Sequence, residues 1–173
     1  RDLRISVTDR CNFRCTYCMP KEVYGESFKF LPREELLDFN EIERIAQTFA
    51  KLGVNKIRIT GGEPLVRKNI EELIQKLSNI SGIEDIAMTT NGYLLESKLD
   101  SLIQSGLNRI TVSLDSIDSK TFKKMSGQNF EVEKVLSAIK SANDKGFKNL
   151  KINCVVQKNV NEHSILDLLD YFR

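Results

Sequence analysis

Four times along this chain an amphipathic stretch ends in a glycine and a short β-rich run follows. Gly53 precedes residues 56–60, Gly82 precedes 84–90, Gly106 precedes 109–114 and Gly146 precedes 150–156. Glycine at the end of a helix suits a left-handed cap. The helices show in their apolar spacing: Ile42, Ile45, Ala46, Phe49; Ile70, Leu73, Ile74, Leu77; Leu99, Leu102, Ile103; Val135, Leu136, Ile139; and Ile165, Leu168, Leu169, Phe172. Asn40 with Glu43, and Asn69 with Glu72, offer a cap oxygen and an acid three residues on. With residues 3–8 as a first strand, the pattern predicts five successive βα units. Such alternation implies an α/β fold with a parallel sheet and right-handed crossovers, either doubly wound or an arc of a barrel.

The strand faces separate these two. One face is apolar: Leu3, Ile5, Val7; Ile57, Ile59; Ile86, Met88; Ile110, Val112, Leu114; Ile152, Cys154, Val156. The other is polar on every strand, with Arg4, Ser6, Thr8; Lys56, Arg58, Thr60; Asp85, Thr89, Asn91; Arg109, Thr111, Ser113, Asp115; and Lys151, Asn153. A doubly wound sheet is apolar on both faces, and a closed barrel fills its interior with branched aliphatics. A curved sheet with a wet concave side fits better. It would carry Arg4, Arg58 and Lys151 in its cavity, a set suited to an anionic ligand. The structural alternative is that these cations pair with local carboxylates such as Asp85 and Asp115.

Composition narrows the rest. In 173 residues, 40% are hydrophobic and 29% charged, with a net charge of only +2. That excludes a disordered or low-complexity chain and gives no general polyanion-binding signal, so no nucleic-acid partner is expected. No membrane span or signal peptide is apparent, which predicts an unexported, cytoplasmic protein. The first residue is Arg1, not Met, as in a piece of something longer.

Cysteine use is uneven. Three of four lie in Cys11-Asn12-Phe13-Arg14-Cys15-Thr16-Tyr17-Cys18. A disulfide framework would leave one over, so metal ligation is the better reading, by zinc or an iron-sulfur cluster. The other candidate ligands fit poorly. Cys154 falls on the helix-facing side of its strand, and His163 sits off the apolar stripe of the last helix. Three ligands leave a metal position open, as catalytic centres do.

The motifs gather at the carboxyl ends of the predicted strands, where parallel α/β folds bind ligands. The cysteine loop follows the first, Gly61-Gly62-Glu63-Pro64 the second, Asn91-Gly92 the third and Ser113-Leu114-Asp115 the fourth. Adjacent glycines permit close backbone approach to a ligand, and a carboxylate beside them can accept from an ammonium group.

Cys-x3-Cys-x2-Cys followed by Gly-Gly-Glu-Pro resembles the radical S-adenosylmethionine superfamily. Residues 3–15, Cys18-Met19-Pro20, residues 56–65 and Thr89-Thr90-Asn91-Gly92 resemble, within it, the GTP cyclases that begin molybdenum-cofactor synthesis. That resemblance implies a partial TIM-type (βα)6 barrel, of which this chain would hold five units. It implies that Cys11, Cys15 and Cys18 hold a 4Fe-4S cluster whose remaining iron is chelated by S-adenosylmethionine. Tyr17, Gly62 and Ser113 would contact that cosubstrate, and Arg4, Arg58, Thr89 and Lys151 would meet GTP. Reduction would release a 5′-deoxyadenosyl radical that abstracts a ribose hydrogen, after which the sugar carbon closes onto the guanine ring. No side chain is expected as a strong catalytic acid or base. The implied partners are a low-potential electron donor such as a ferredoxin or flavodoxin, a downstream pterin-forming synthase and, as an option, a second copy in a homodimer.

Full-length members of that family carry a second cysteine triad for another 4Fe-4S cluster, and a double-glycine tail. Neither is in residues 1–173, which read as the core domain only and are expected to bind the first cluster and S-adenosylmethionine but to cyclise GTP poorly. Two other readings stand beside this one: a radical enzyme that modifies a peptide, and a zinc-stapled binding module.

Overall fold

A computed structural model describes residues 1–147 and 150–173. Five strands, β1 (Asp2–Ser6), β2 (Lys56–Thr60), β3 (Asp85–Thr90), β4 (Arg109–Ser113) and β5 (Lys151–Asn153), form one parallel sheet in the order β1-β2-β3-β4-β5. Strand order that follows chain order is what an arc of a barrel gives, since a doubly wound sheet reverses direction at a switch point. Helices α1 (Phe39–Lys51), α2 (Ile70–Ser78), α3 (Leu99–Gln104), α4 (Ser119–Ser126), α5 (Val132–Asp144) and α6 (Ile165–Tyr171) fill the crossovers and the C-terminal end. Gly53, Gly82, Gly106 and Gly146 all take φ between 89° and 97°, the left-handed conformation predicted for them.

The core lies between the sheet's apolar face and the helices. Ile57, Ile59, Ile86, Met88, Ile110 and Val112 are buried against Leu73, Leu77, Leu102 and Val135. Each such aliphatic contributes about 1.5–3 kcal/mol by leaving water. At the ends of the arc the predicted stripes are only half used. In α1, Ile42 and Ala46 are buried while Ile45 and Phe49 are exposed; in α6, Leu168 is buried while Leu169, and Phe172 just past the helix end, are exposed. A helix beside an edge strand has a neighbour on one side only.

Several boundaries differ from expectation. Helix α1 is capped by Asp38 and Glu41, each side chain accepting from the other's backbone N–H at 2.8 Å, and not by Asn40 and Glu43. Asn40 already lies inside the helix, and Glu43 pairs with Lys76 at 2.9 Å. Asn69 does sit at the start of α2, but at φ 58° with its amide donating to Glu72 Oε1 at 2.7 Å, so its side chain caps no backbone group. Strand β5 stops at Asn153, and Val156 is exposed. Helix α4 was not apparent in the pattern, because only Phe122 and Met125 are large and apolar in it. Asp118 starts it by accepting from Thr121 N at 2.8 Å, and Gly127 ends it at φ 63°.

The register stacks the polar face in rungs. Asp2, Lys56 and Asp85 share one; Arg4, Arg58, Ala87 and Arg109 the next; Thr89, Thr111 and Lys151 a third; Ser113 and Asn153 a fourth. The third and fourth rungs lie towards the carboxyl end, where the cysteine loop begins. Among the described residues no helix is long and apolar enough to cross a membrane.

Candidate functional site

The cysteine loop is held from both sides. Phe13 is buried at its centre among Phe122, Phe130 and Tyr93, with ring centroids 5.8, 5.6 and 6.2 Å away. Arg14 donates from Nη1 to the carbonyls of Cys11 and Phe13 at 2.7 and 2.8 Å, and from Nε to the Tyr24 carbonyl at 2.8 Å. On the other flank, Arg14 N and Thr16 N donate to the Ser126 and Met125 carbonyls at the end of α4. The Cys18 and Met19 N–H groups both donate to the Cys15 carbonyl at 3.0 Å, folding the loop back on itself.

All three loop cysteines are free; Cys11 and Cys15 are half-buried and Cys18 is exposed. Burial pushes the Cys11 thiol up to about 11 and the Cys15 thiol up to about 12, and the neighbouring thiols push in the same direction. Unaided, the loop therefore keeps those two thiols protonated; a bound metal centre would supply the positive charge that thiolates need there. Cys11 Sγ also accepts from Phe13 N at 3.3 Å, a contact of the kind that supports a ligating sulfur. Soft, mutually coupled thiols on one braced loop fit an iron-sulfur cluster. Among the described residues, no three His, Cys, Asp or Glu side chains gather closely enough to hold a single metal ion. Cys154 is elsewhere, beside the Asp115 carbonyl and Asn161, and His163 is exposed before α6.

The paired glycines let two stretches of chain approach closely, and Gly62 lines neither of the two cavities on the polar face. Gly62 N donates to the Thr8 carbonyl at 2.6 Å, and a Cβ on Gly62 would strike the Arg10 carbonyl. Their space lets the β2 loop lie against the cysteine loop. Glu63 differs from its expected use. It is 1% exposed and turned inward, accepting from Leu65 N, Thr90 Oγ1 and Asn91 N at 3.0, 2.7 and 2.7 Å. Burial, opposed by those three bonds, pushes its carboxyl up to about 7. It ties the ends of β2 and β3 together, and it is not an open acceptor for an ammonium group.

Two cavities on the polar face collect most of the predicted site residues. Cys15, Tyr17 and Ser113 line one of about 30 Å³, with Asn91 and Asp115 among the other walls. Tyr17 Oη donates to Asp115 Oδ2 at 2.7 Å across 98 residues of sequence, and Asp115 Oδ1 accepts from Val155 N at 2.8 Å. Burial raises both the Tyr17 hydroxyl and the Asp115 carboxyl above their ordinary values. The second cavity, about 130 Å³, is lined by Arg58, Thr89 and Lys151 with Ala87, Arg109, Thr111 and Asn153. Arg4 does not line it but is Arg58's register partner. A larger cleft of about 500 Å³ opens between the starts of α1 and α2 and contains none of the predicted residues.

The ion-pair alternative accounts for part of this face. Arg109 forms a two-pronged pair with Asp85, which raises the guanidinium further, and Arg58 reaches Asp2 at 3.3 Å. Among the described residues Asp115 pairs with no cation, and its partners there are a hydroxyl and a backbone N–H. Thr111 and Asn153 joined the site unannounced; their place on the polar alternation was the available signal.

Residues 5–172 match the Radical SAM superfamily. The chain belongs to that superfamily. Among radical SAM proteins it is 53% identical over 173 residues to the GTP 3′,8-cyclase of Staphylococcus epidermidis (strain RP62A) and 54% identical to that of Staphylococcus aureus (strain JH9). Each alignment takes in 100% of this chain and 51% of the relative, so the chain spans about half the length of the curated relatives it matches. Streptococcus suis SuiB bound to S-adenosylmethionine shares the fold with a TM-score of 0.79 and 24% identity, over 98% of this chain and 37% of that one. anSMEcpe with bound AdoMet and the Kp18Cys peptide aligns with a TM-score of 0.68 and 19% identity, over 96% and 48%. These likenesses bear out the expected arc of a TIM-type barrel.

Proposed function

We propose that residues 1–173 are the radical SAM core domain of a GTP 3′,8-cyclase. The observation that carries this reading is the grouping of Cys15, Tyr17 and Ser113 in one cavity and of Arg58, Thr89 and Lys151 in another, on the same face of the sheet. Similarity to relatives named GTP 3′,8-cyclase supports the same substrate.

In this reading Cys11, Cys15 and Cys18 hold a 4Fe-4S cluster, which when bound supplies the electron that splits S-adenosylmethionine. Tyr17, Gly62 and Ser113 orient the cosubstrate. Arg4, Arg58, Thr89 and Lys151 hold GTP, the cations and the hydroxyl being suited to its phosphates. The protein's contribution is to place ribose and cosubstrate side by side and keep water out, without side-chain acid-base work. The remaining half of the full-length protein would bring the second cluster. A low-potential donor, a pterin-forming synthase downstream, a homodimer and a cytoplasmic setting complete the proposal.

A peptide substrate is the competing reading, because SuiB and anSMEcpe have been crystallised with peptides; a rung of three arginines and the lysine above it suit an anion better. Superfamily membership replaces the zinc-stapled module. The test is anaerobic turnover by the full-length protein with S-adenosylmethionine, a reductant and GTP. Formation of 5′-deoxyadenosine together with the cyclised nucleotide is expected, and Lys151→Ala should raise the KM for GTP. Deoxyadenosine release that is indifferent to GTP would contradict the substrate.

A further inference from the structure

The Thr89-Thr90-Asn91-Gly92 run ends β3 beside the cysteine loop, and none of the roles above uses the Asn91 side chain. Asn91 is 9% exposed, and its backbone N–H and both polar atoms of its side chain are engaged. Its backbone N–H donates to Glu63 Oε2 at 2.7 Å and its Oδ1 accepts from Tyr93 N at 3.1 Å, which fixes the side chain's direction. Nδ2 then donates to Asn12 Oδ1 at 2.8 Å and points at Cys11 Sγ from 3.9 Å, a long contact at the outer reach of N–H to sulfur. With Phe13 N at 3.3 Å, the Cys11 sulfur faces two N–H groups.

We propose that Asn91 is a positioning residue for Cys11: it fixes the sulfur through Asn12 and, by directing an N–H at it, raises the reduction potential of the cluster that Cys11 would ligate. The inference rests on the cluster reading above. Hydrogen bonds to ligand sulfurs draw electron density from a cluster and favour its reduced form, while added negative charge does the opposite. Glu63 is the anchor: buried and holding Asn91 N and Thr90 Oγ1 at once, it sets where β3 ends relative to the cysteine loop.

The test uses the full-length protein, reconstituted anaerobically, as wild type, Asn91→Asp and Asn91→Ser. Both variants keep an oxygen for Tyr93 N and lose the N–H directed at sulfur; only the first adds charge. Far-UV circular dichroism, iron content and a redox titration of the EPR signal that changes on adding S-adenosylmethionine are measured for each. The expected result is a native spectrum with that signal moved to lower potential, further for Asn91→Asp than for Asn91→Ser. Loss of that cluster's iron from a natively folded variant also supports the positioning role. Full iron with an unmoved potential in both variants would overturn the proposal, as would unfolding of both, which would make Asn91 a brace of the fold alone. A wild type that takes up no cluster at all would instead strike the reading on which the inference rests.

Discussion

Glu63 shows what a single buried carboxylate does to this molecule. Its ordinary value is 4.5 and burial moves it to about 7, so the folded state binds its proton more tightly than the unfolded state does. The associated stability is full below pH 4.5 and is lost as pH rises through 7, a swing on the order of 3 kcal/mol. Glu63→Gln is expected to flatten the fall in melting temperature across that window; an unchanged slope would contradict the account. Sequence pointed to this residue and mistook its direction. Alternation reads the faces of strands, and Glu63 stands in a turn after one, where no periodicity says which way a side chain faces. Tyr17 and Asp115 were singled out separately, yet a bond spanning 98 residues cannot be seen before the strand order is known.

At the level of elements, the sites depend on ends more than on middles. Asp38→Ala removes the capping box of α1 and should lower stability by about 1 kcal/mol, read as a reduced urea midpoint, with little effect on iron uptake. Gly127→Ala should act in the opposite proportion. Gly127 holds φ 63° at the end of α4, and a Cβ there would strike the Arg14 carbonyl, displacing the loop between Cys11 and Cys15. The expected outcome is reduced iron per chain after reconstitution, and iron retention equal to wild type would contradict it. The strands and most helices were legible because one face of each is aliphatic. Helix α4 was not, because its polar lysine-rich surface hides Phe122 and Met125, the two side chains that matter to packing.

For the molecule as a whole, the polar strand face distinguishes a barrel arc from a doubly wound sheet, and the sequential strand order agrees with it. What alternation leaves out is register. Arg109 with Asp85 and Arg58 with Asp2 pair diagonally between neighbouring rungs, so two of the cations visible in the sequence are partly neutralised by the fold. Arg4 and Lys151 stand outside the ion pairs found among the described residues. Ser113 of the small cavity stands further along β4 than Thr111 of the cationic cavity, so the two cavities follow one another towards the carboxyl end of the sheet. The most direct measurement is the low-temperature EPR spectrum of the anaerobically reconstituted, reduced protein before and after S-adenosylmethionine is added. The account predicts a 4Fe-4S signal whose line shape changes when the cosubstrate binds, and loss of that responsive signal in a Cys11→Ala, Cys15→Ala, Cys18→Ala variant. The absence of any cluster signal that responds to S-adenosylmethionine, or a responsive signal that survives loss of the three cysteines, would contradict it.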